Sequence, residues 1–208
     1  MRSPARRLST RCVPTLCLLA VFASVSVAQP ESLLTGDSLD GWTVKPSEAE
    51  GHWRLNDGVL TGENPDKVGS NLWTEKEYGD FELEVEYRTP SDYYDTGVFA
   101  RGEGHQVQIG ISGSLKRDMT ASIYAPVEGQ GGYPAKAPGV EELQRPGEWN
   151  RLRMVVRGDR IETFLNGEPM VDYRAAKLPA RGPIGLQLHA GHHMKLLFRD
   201  LKVTEIGE

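Results

Sequence analysis

Apolar and polar residues alternate with a period of two through most of the chain beyond residue 28. Phe81, Leu83, Val85 and Tyr87 interleave with Glu82, Glu84 and Glu86, and Leu152, Met154 and Val156 interleave with Arg151, Arg153 and Arg157. Side chains on a strand point alternately to opposite faces, so each run predicts an antiparallel strand with one face on a core and one in water. Asn56-Asp57-Gly58 separates "HWRL" from "VLTG", and Asn166-Gly167 separates "RIETFL" from "EPMVDY". These residues accept the positive φ of tight turns, which predicts two hairpins. In "KLLFRDLKV", Leu196 and Phe198 share one parity and Leu201 and Val203 the other, which predicts a bulge near Arg199-Asp200. About ten to twelve short strands and no amphipathic helix follow, an all-β chain arranged as a sandwich of two antiparallel sheets. Residues 112–148 break the pattern. This stretch is dense in Gly and Pro and too long for a plain connection, so it reads as a binding loop, with an unstructured insertion as the alternative.

Parity also sorts the residues that the core does not use. In "GPIGLQLH", Ile184, Leu186 and Leu188 form the core side and leave Gln187 and His189 opposite. In "HQVQIG", Val107 and Ile109 leave Gln106 and Gln108; in "TGVFAR", Val98 and Ala100 leave Phe99 and Arg101. If the three strands share one sheet, these side chains form one polar platform. Neutral amides match hydroxyl groups as donor and acceptor, an aromatic face covers the C–H surface of a pyranose, and a cation fixes orientation, so the platform suits a sugar. A plain solvated sheet face is the alternative, although such faces lean to Lys, Glu and Thr.

His189, His192 and His193 cluster in sequence, yet only His189 falls inside a strand. A metal site needs three or four convergent ligands, and no strong zinc motif is present, so His192 and His193 are expected as solvent-facing turn residues. Calcium held by loop carboxylates stays open.

Composition narrows the setting. Residues 1–28 run from a basic segment through an apolar one to Ser26-Val27-Ala28, which is the layout of a cleaved secretory signal peptide. The expected mature chain, residues 29–208, is a single domain of ordinary size. Both cysteines, Cys12 and Cys17, lie in the leader, so the domain holds no disulfide. Without Arg2, Arg6, Arg7 and Arg11 the formal charge is −9, which argues against nucleic-acid binding and for a soluble exported protein with no membrane insertion after cleavage.

"LDGW" (39–42), "DGVLTGE" (57–63), "LWTEKEYGDFELEVEYR" (72–88), "TGVFARG" (96–102), "SIYAP" (122–126), residues 146–173 and "GPIGLQLHAG" (182–191) resemble the 3-keto-disaccharide hydrolase domain family. That group consists of secreted bacterial proteins with a concanavalin-like jelly roll. The resemblance implies hydrolysis of a glycoside already oxidised at C3. The ketone acidifies the C2 proton; a base removes it, the C1 substituent leaves, and water adds back. His189 is the expected base, and Arg101, Lys116 or a bound divalent ion would hold the oxyanion. Gln106, Gln108, Gln187, Phe99 and Tyr124 would bind sugar. Where many members carry Tyr-Glu-Val-Gln, this chain has His105-Gln106-Val107-Gln108, so a carboxylate becomes an amide. Asp95 could replace it from the neighbouring strand, or this branch kept binding and lost turnover. Glu86 and Arg117 are further candidates, each with a surface or ion-pair role as the alternative. Two rivals share the fold: a non-catalytic carbohydrate-binding module, and a protein whose sheet face docks another protein.

Overall fold

The computed structural model describes residues 28–129 and 132–207; the leader expected at residues 1–28 lies outside them except for Ala28. Fourteen strands occur among the described residues: β1 (Glu31–Ser32), β2 (Trp42–Lys45), β3 (Trp53–Asn56), β4 (Val59–Glu63), β5 (Ser70–Tyr78), β6 (Phe81–Arg88), β7 (Asp95–Phe99), β8 (Gln106–Gly110), β9 (Ile123–Tyr124), β10 (Asn150–Arg157), β11 (Arg160–Leu165), β12 (Glu168–Arg174), β13 (Gly182–Leu188) and β14 (Lys195–Glu205). The excess over the expected number includes the two-residue strands β1 and β9, which are too short to show a period. Helix α1 (Val140–Leu143) is a single turn, and two 3₁₀ segments span Ser47–His52 and Pro126–Glu128.

The strands form two antiparallel sheets. One runs β12-β11-β10-β6-β14-β4-β3, with β1 added along β14; the other runs β2-β5-β13-β7-β8-β9. Alternation has the predicted result: Phe81, Leu83, Val85 and Tyr87 are at most 1% exposed, while the glutamates between them face outward. Leu152, Met154, Val156, Ile184, Leu186, Leu188, Val98, Val107 and Ile109 complete the same core between the sheets. Full burial of an aliphatic or aromatic side chain contributes roughly 1.5–3 kcal/mol, so this cluster carries the stability that disulfides cannot.

Both predicted hairpins form. Asn56 pairs with Val59 across Asp57 and Gly58, and Leu165 pairs with Glu168 across Asn166 and Gly167, with positive φ at all four turn residues. The predicted bulge is present as a register shift between Arg199 and Lys202, with Asp200 at φ 48°. It moves Leu201 and Val203 onto the core side after Leu196 and Phe198. On the outer face, Glu86 sits between Arg151 and Arg199 at 3.1 and 2.8 Å, so it is an ion-pair partner in the first sheet.

Candidate functional site

Strands β13, β7 and β8 are consecutive neighbours in the second sheet, as the shared platform requires. Their non-core faces, together with β9 and nearby loop residues, line a cleft of about 510 Å³ formed by Asp95, Gln106, Gln108, Ser112, Gly113, Ser114, Tyr124, Tyr133, Gln187 and His189.

The floor is a network of amides. Gln106 Nε2 donates to Gln187 Oε1 at 2.9 Å, and Gln108 Nε2 donates to Asp95 Oδ1 at 2.7 Å. The first bond crosses above Gly97, whose missing side chain makes room: a Cβ there would lie 2.5 Å from the Val107 carbonyl oxygen and 2.6 Å from Gln106 Cγ. Gly97→Ala is therefore expected to displace Gln106 and cost about 1–3 kcal/mol in urea denaturation. With its oxygen used by Gln106, the Gln187 amide retains its N–H donors.

Asp95 is 7% exposed and receives neutral donors, Gln108 and the more distant Tyr93 hydroxyl at 3.4 Å. No cation pairs with it among the described residues. His189 is exposed at the rim, with Nδ1 2.8 Å from the Ala190 carbonyl oxygen. A carbonyl oxygen only accepts, so Nδ1 carries a hydrogen and Nε2 is the ring nitrogen left to take up or give a proton. Tyr124 and Tyr133 form an aromatic wall, with ring centroids 5.1 Å apart. Burial pushes the Tyr133 phenol up to about 12, so it remains a neutral hydrogen-bond donor.

The structure departs from the expected platform at Arg101 and Phe99, and from the expected site at Lys116. Arg101 has φ 56°, which ends the alternation of β7 and turns its side chain away from the cleft. Its guanidinium instead donates to the carbonyls of Gly79, Gly158 and Pro179 and to Asp80. Phe99 lies on the predicted face but packs against Trp73, centroids 5.0 Å apart, and is 5% exposed. The aromatic surface of the cleft comes from the partly exposed Tyr124, backed by the nearly buried Tyr133. Lys116 is exposed beyond Ser112–Ser114 and does not line the cleft, and Arg117 is likewise exposed. His192 stacks on Tyr93 at 4.1 Å and His193 lies 3.3 Å from Glu63, so both are turn residues outside the cleft lining.

Sequence reasoning missed Tyr133, Ser112, Gly113 and Ser114. They sit in the irregular excursion, where parity has no meaning; a lone tyrosine in "GQGGYPAK" is the one available signal. Among the described residues, no group of three or more His, Cys, Asp or Glu side chains is arranged to hold a metal ion. No helix among them is long and apolar enough to cross a membrane.

The model of the 3-keto-alpha-glucoside-1,2-lyase-like domain matches residues 29–204. The chain belongs to this family. The solved structures that share its fold include three of note. A Parabacteroides distasonis protein, assigned by name alone to the glycosyl hydrolases, is 22% identical over 86% of this chain and 100% of its own, with a TM-score of 0.64. The carbohydrate-binding module CBM66 from Bacillus subtilis is 14% identical over 79% of this chain and 96% of its own, at 0.57. The exoplasmic/lumenal domain of VIP36, solved with Ca2+ and Man3GlcNAc, is 10% identical over 80% of this chain and 86% of its own, at 0.56. No protein of curated function matches the sequence. The family member described here is a jelly-roll sandwich of the concanavalin-like kind and a carbohydrate-active protein.

Proposed function

We propose that the cleft binds a glycoside already oxidised at C3 and eliminates its C1 substituent, after which water adds back. The observation that carries this reading is the lining itself: neutral amides, an unneutralised carboxylate, a tyrosine wall and an imidazole on one sheet face. Asp95 takes the C2 proton, which the adjacent ketone has made acidic. The electrons form the C1–C2 double bond as the C1–O bond breaks. The Gln187 N–H donors stabilise the charge that gathers on the C3 oxygen in the enolate-like transition state. His189, at the open rim where the leaving group departs, supplies the proton that the C1 oxygen needs. Addition of water across C1–C2 returns hydrogen to C2 and puts a hydroxyl on C1, so the net reaction is hydrolysis.

The test compares two 3-keto-glucosides, one with p-nitrophenol and one with an alkyl alcohol at C1. His189→Ala should lose release of the alcohol by about 100-fold or more while keeping most release of p-nitrophenol, whose oxygen departs without a proton. Equal release of both by variant and wild type removes His189 from the mechanism. A parallel assay with a chelator decides whether a divalent cation such as calcium takes part.

A second reading has one observation in its favour. Gln106 stands in the cleft where many family members carry a glutamate, so the fold could serve as a saccharide-binding module without turnover. Binding of the 3-keto-glucoside with no release of either leaving group would establish it. Under either reading the protein works outside the cytoplasm, which the basic-then-apolar leader supports.

A further inference from the structure

The tyrosine wall belongs to the irregular excursion, and one carboxylate outside the cleft ties that segment to the rest of the molecule. Glu128 ends the 3₁₀ turn Pro126–Glu128, and its side chain is 6% exposed. Its Oε1 accepts from His105 Nε2 at 2.6 Å and from the Lys177 backbone N–H at 2.9 Å. The other oxygen, Oε2, accepts from the Tyr173 hydroxyl. Lys177 Nζ also donates to the Val127 carbonyl at 2.8 Å. One side chain thus joins the excursion to the start of β8, to β12 in the opposite sheet and to the loop after β12.

His105 directly precedes Gln106 of the cleft floor, and its ring is fully buried. Its Nδ1 meets no polar partner among the described residues, so the hydrogen sits on Nε2 and points at Glu128. Burial pushes the Glu128 carboxyl up, but hydrogen bonds from Tyr173, His105 and the Lys177 N–H outweigh it and hold the group below the usual glutamate value. The residue where this chain departs from its family's usual tyrosine therefore has a dedicated acceptor.

The loop anchored by Glu128 shapes the wall. Ala125 N–H donates to the Gly132 carbonyl at 2.8 Å, closing the segment on itself. Gly132 lies against the Tyr124 ring so closely that a Cβ would be 2.7 Å from Tyr124 Cε2. Tyr124 in turn meets Tyr133. Among the described residues, strand β9 has two residues and pairs only with β8 and Ala135, a short ladder for holding these rings.

We propose that Glu128, with His105 as its donor, is a positioning residue that holds Tyr124 and Tyr133 at the spacing a pyranose ring needs. This rests on the saccharide reading of the cleft. The wall touches the sugar away from the bond that breaks, so its loss weakens binding more than chemistry.

The experiment uses the full mature chain and p-nitrophenyl 3-keto-α-glucoside. Glu128→Ala should raise KM about tenfold or more with kcat within about twofold. Glu128→Gln keeps an oxygen for His105 and Lys177 and an amide that can donate to Tyr173, so it should recover KM to within about threefold. Equal KM in all three proteins, or a fall in kcat at constant KM, overturns the proposal. A lower thermal midpoint with unchanged kinetics of the folded protein also overturns it, since that is a structural role alone. If the wild type releases no p-nitrophenol, the turnover reading fails by itself, and calorimetric binding of the 3-keto-glucoside tests the saccharide reading that remains. Amide exchange in peptides spanning Tyr124 and Tyr133 then decides the hold separately: faster exchange in Glu128→Ala supports it, and unchanged exchange overturns it.

Discussion

Asp95→Asn is expected to lower kcat on a 3-keto-glucoside by about 100- to 10,000-fold, the range for removal of a general base, while saccharide affinity stays within a few-fold of the wild type. Asparagine is nearly isosteric, and its carbonyl oxygen still accepts from Gln108 Nε2, so the floor of the cleft should survive. What disappears is the capacity to take a proton. The position suits that task. The carboxylate is nearly buried, opens on the cleft, and receives only neutral donors with no cation beside it among the described residues. Initial rates and calorimetric binding measured on the same preparation separate the two effects. Undiminished kcat in Asp95→Asn would move the base elsewhere, with His189 next in reach; lost binding together with lost rate would mean that Asp95 orients the sugar.

The parts of this site that could be read from the sequence are those where strand alternation survives intact. Val107 and Ile109 mark one side of β8 and Ile184, Leu186 and Leu188 one side of β13, so Gln106, Gln108 and Gln187 had to share the other once the strands proved to be neighbours. A period of two gives a face and says nothing about what covers it. Phe99 has the right parity, and only the tertiary approach of Trp73 removes it from the open surface. Arg101 failed for a different reason: its left-handed backbone stops the alternation two residues after β7, and nothing in "FAR" announces that change. Of the tyrosine wall, Tyr124 was a sugar-binding candidate from the sequence, whereas Tyr133 was out of reach because a turn-rich excursion rather than strand register brings it to the cleft. The hairpins and the bulge were legible because each depends on a local signal, positive-φ residues in the turns and a parity switch within a single strand. The Glu128 anchor joins residues far apart in the chain and leaves no local signal.

Arg101→Met carries the largest expected effect on stability, a loss of about 3–5 kcal/mol and a fall in melting temperature on the order of 10 °C for a domain of this size. The side chain is 1% exposed and its donors reach the Gly79, Gly158 and Pro179 carbonyls and Asp80 Oδ1 at 2.7–3.0 Å. These acceptors belong to the β5–β6 turn, the β10–β11 turn and the loop before β13, so one guanidinium closes an end of the sandwich across both sheets. Methionine fills much of the volume and satisfies none of the oxygens, and each polar group left without a partner costs about 1–3 kcal/mol. Asp80 loses least, because it is 37% exposed and also accepts from the Gly158 N–H. Lysine in place of Arg101 should recover only a minor part, since an ammonium cannot reproduce the planar fork that serves several carbonyls at once. The same variant separates scaffold from chemistry. If Arg101 acts only in the scaffold, the folded fraction of Arg101→Met should release p-nitrophenol with wild-type KM and kcat below its melting temperature. A large drop in kcat for protein shown to be folded by circular dichroism would instead connect this end of the sandwich to the transition state.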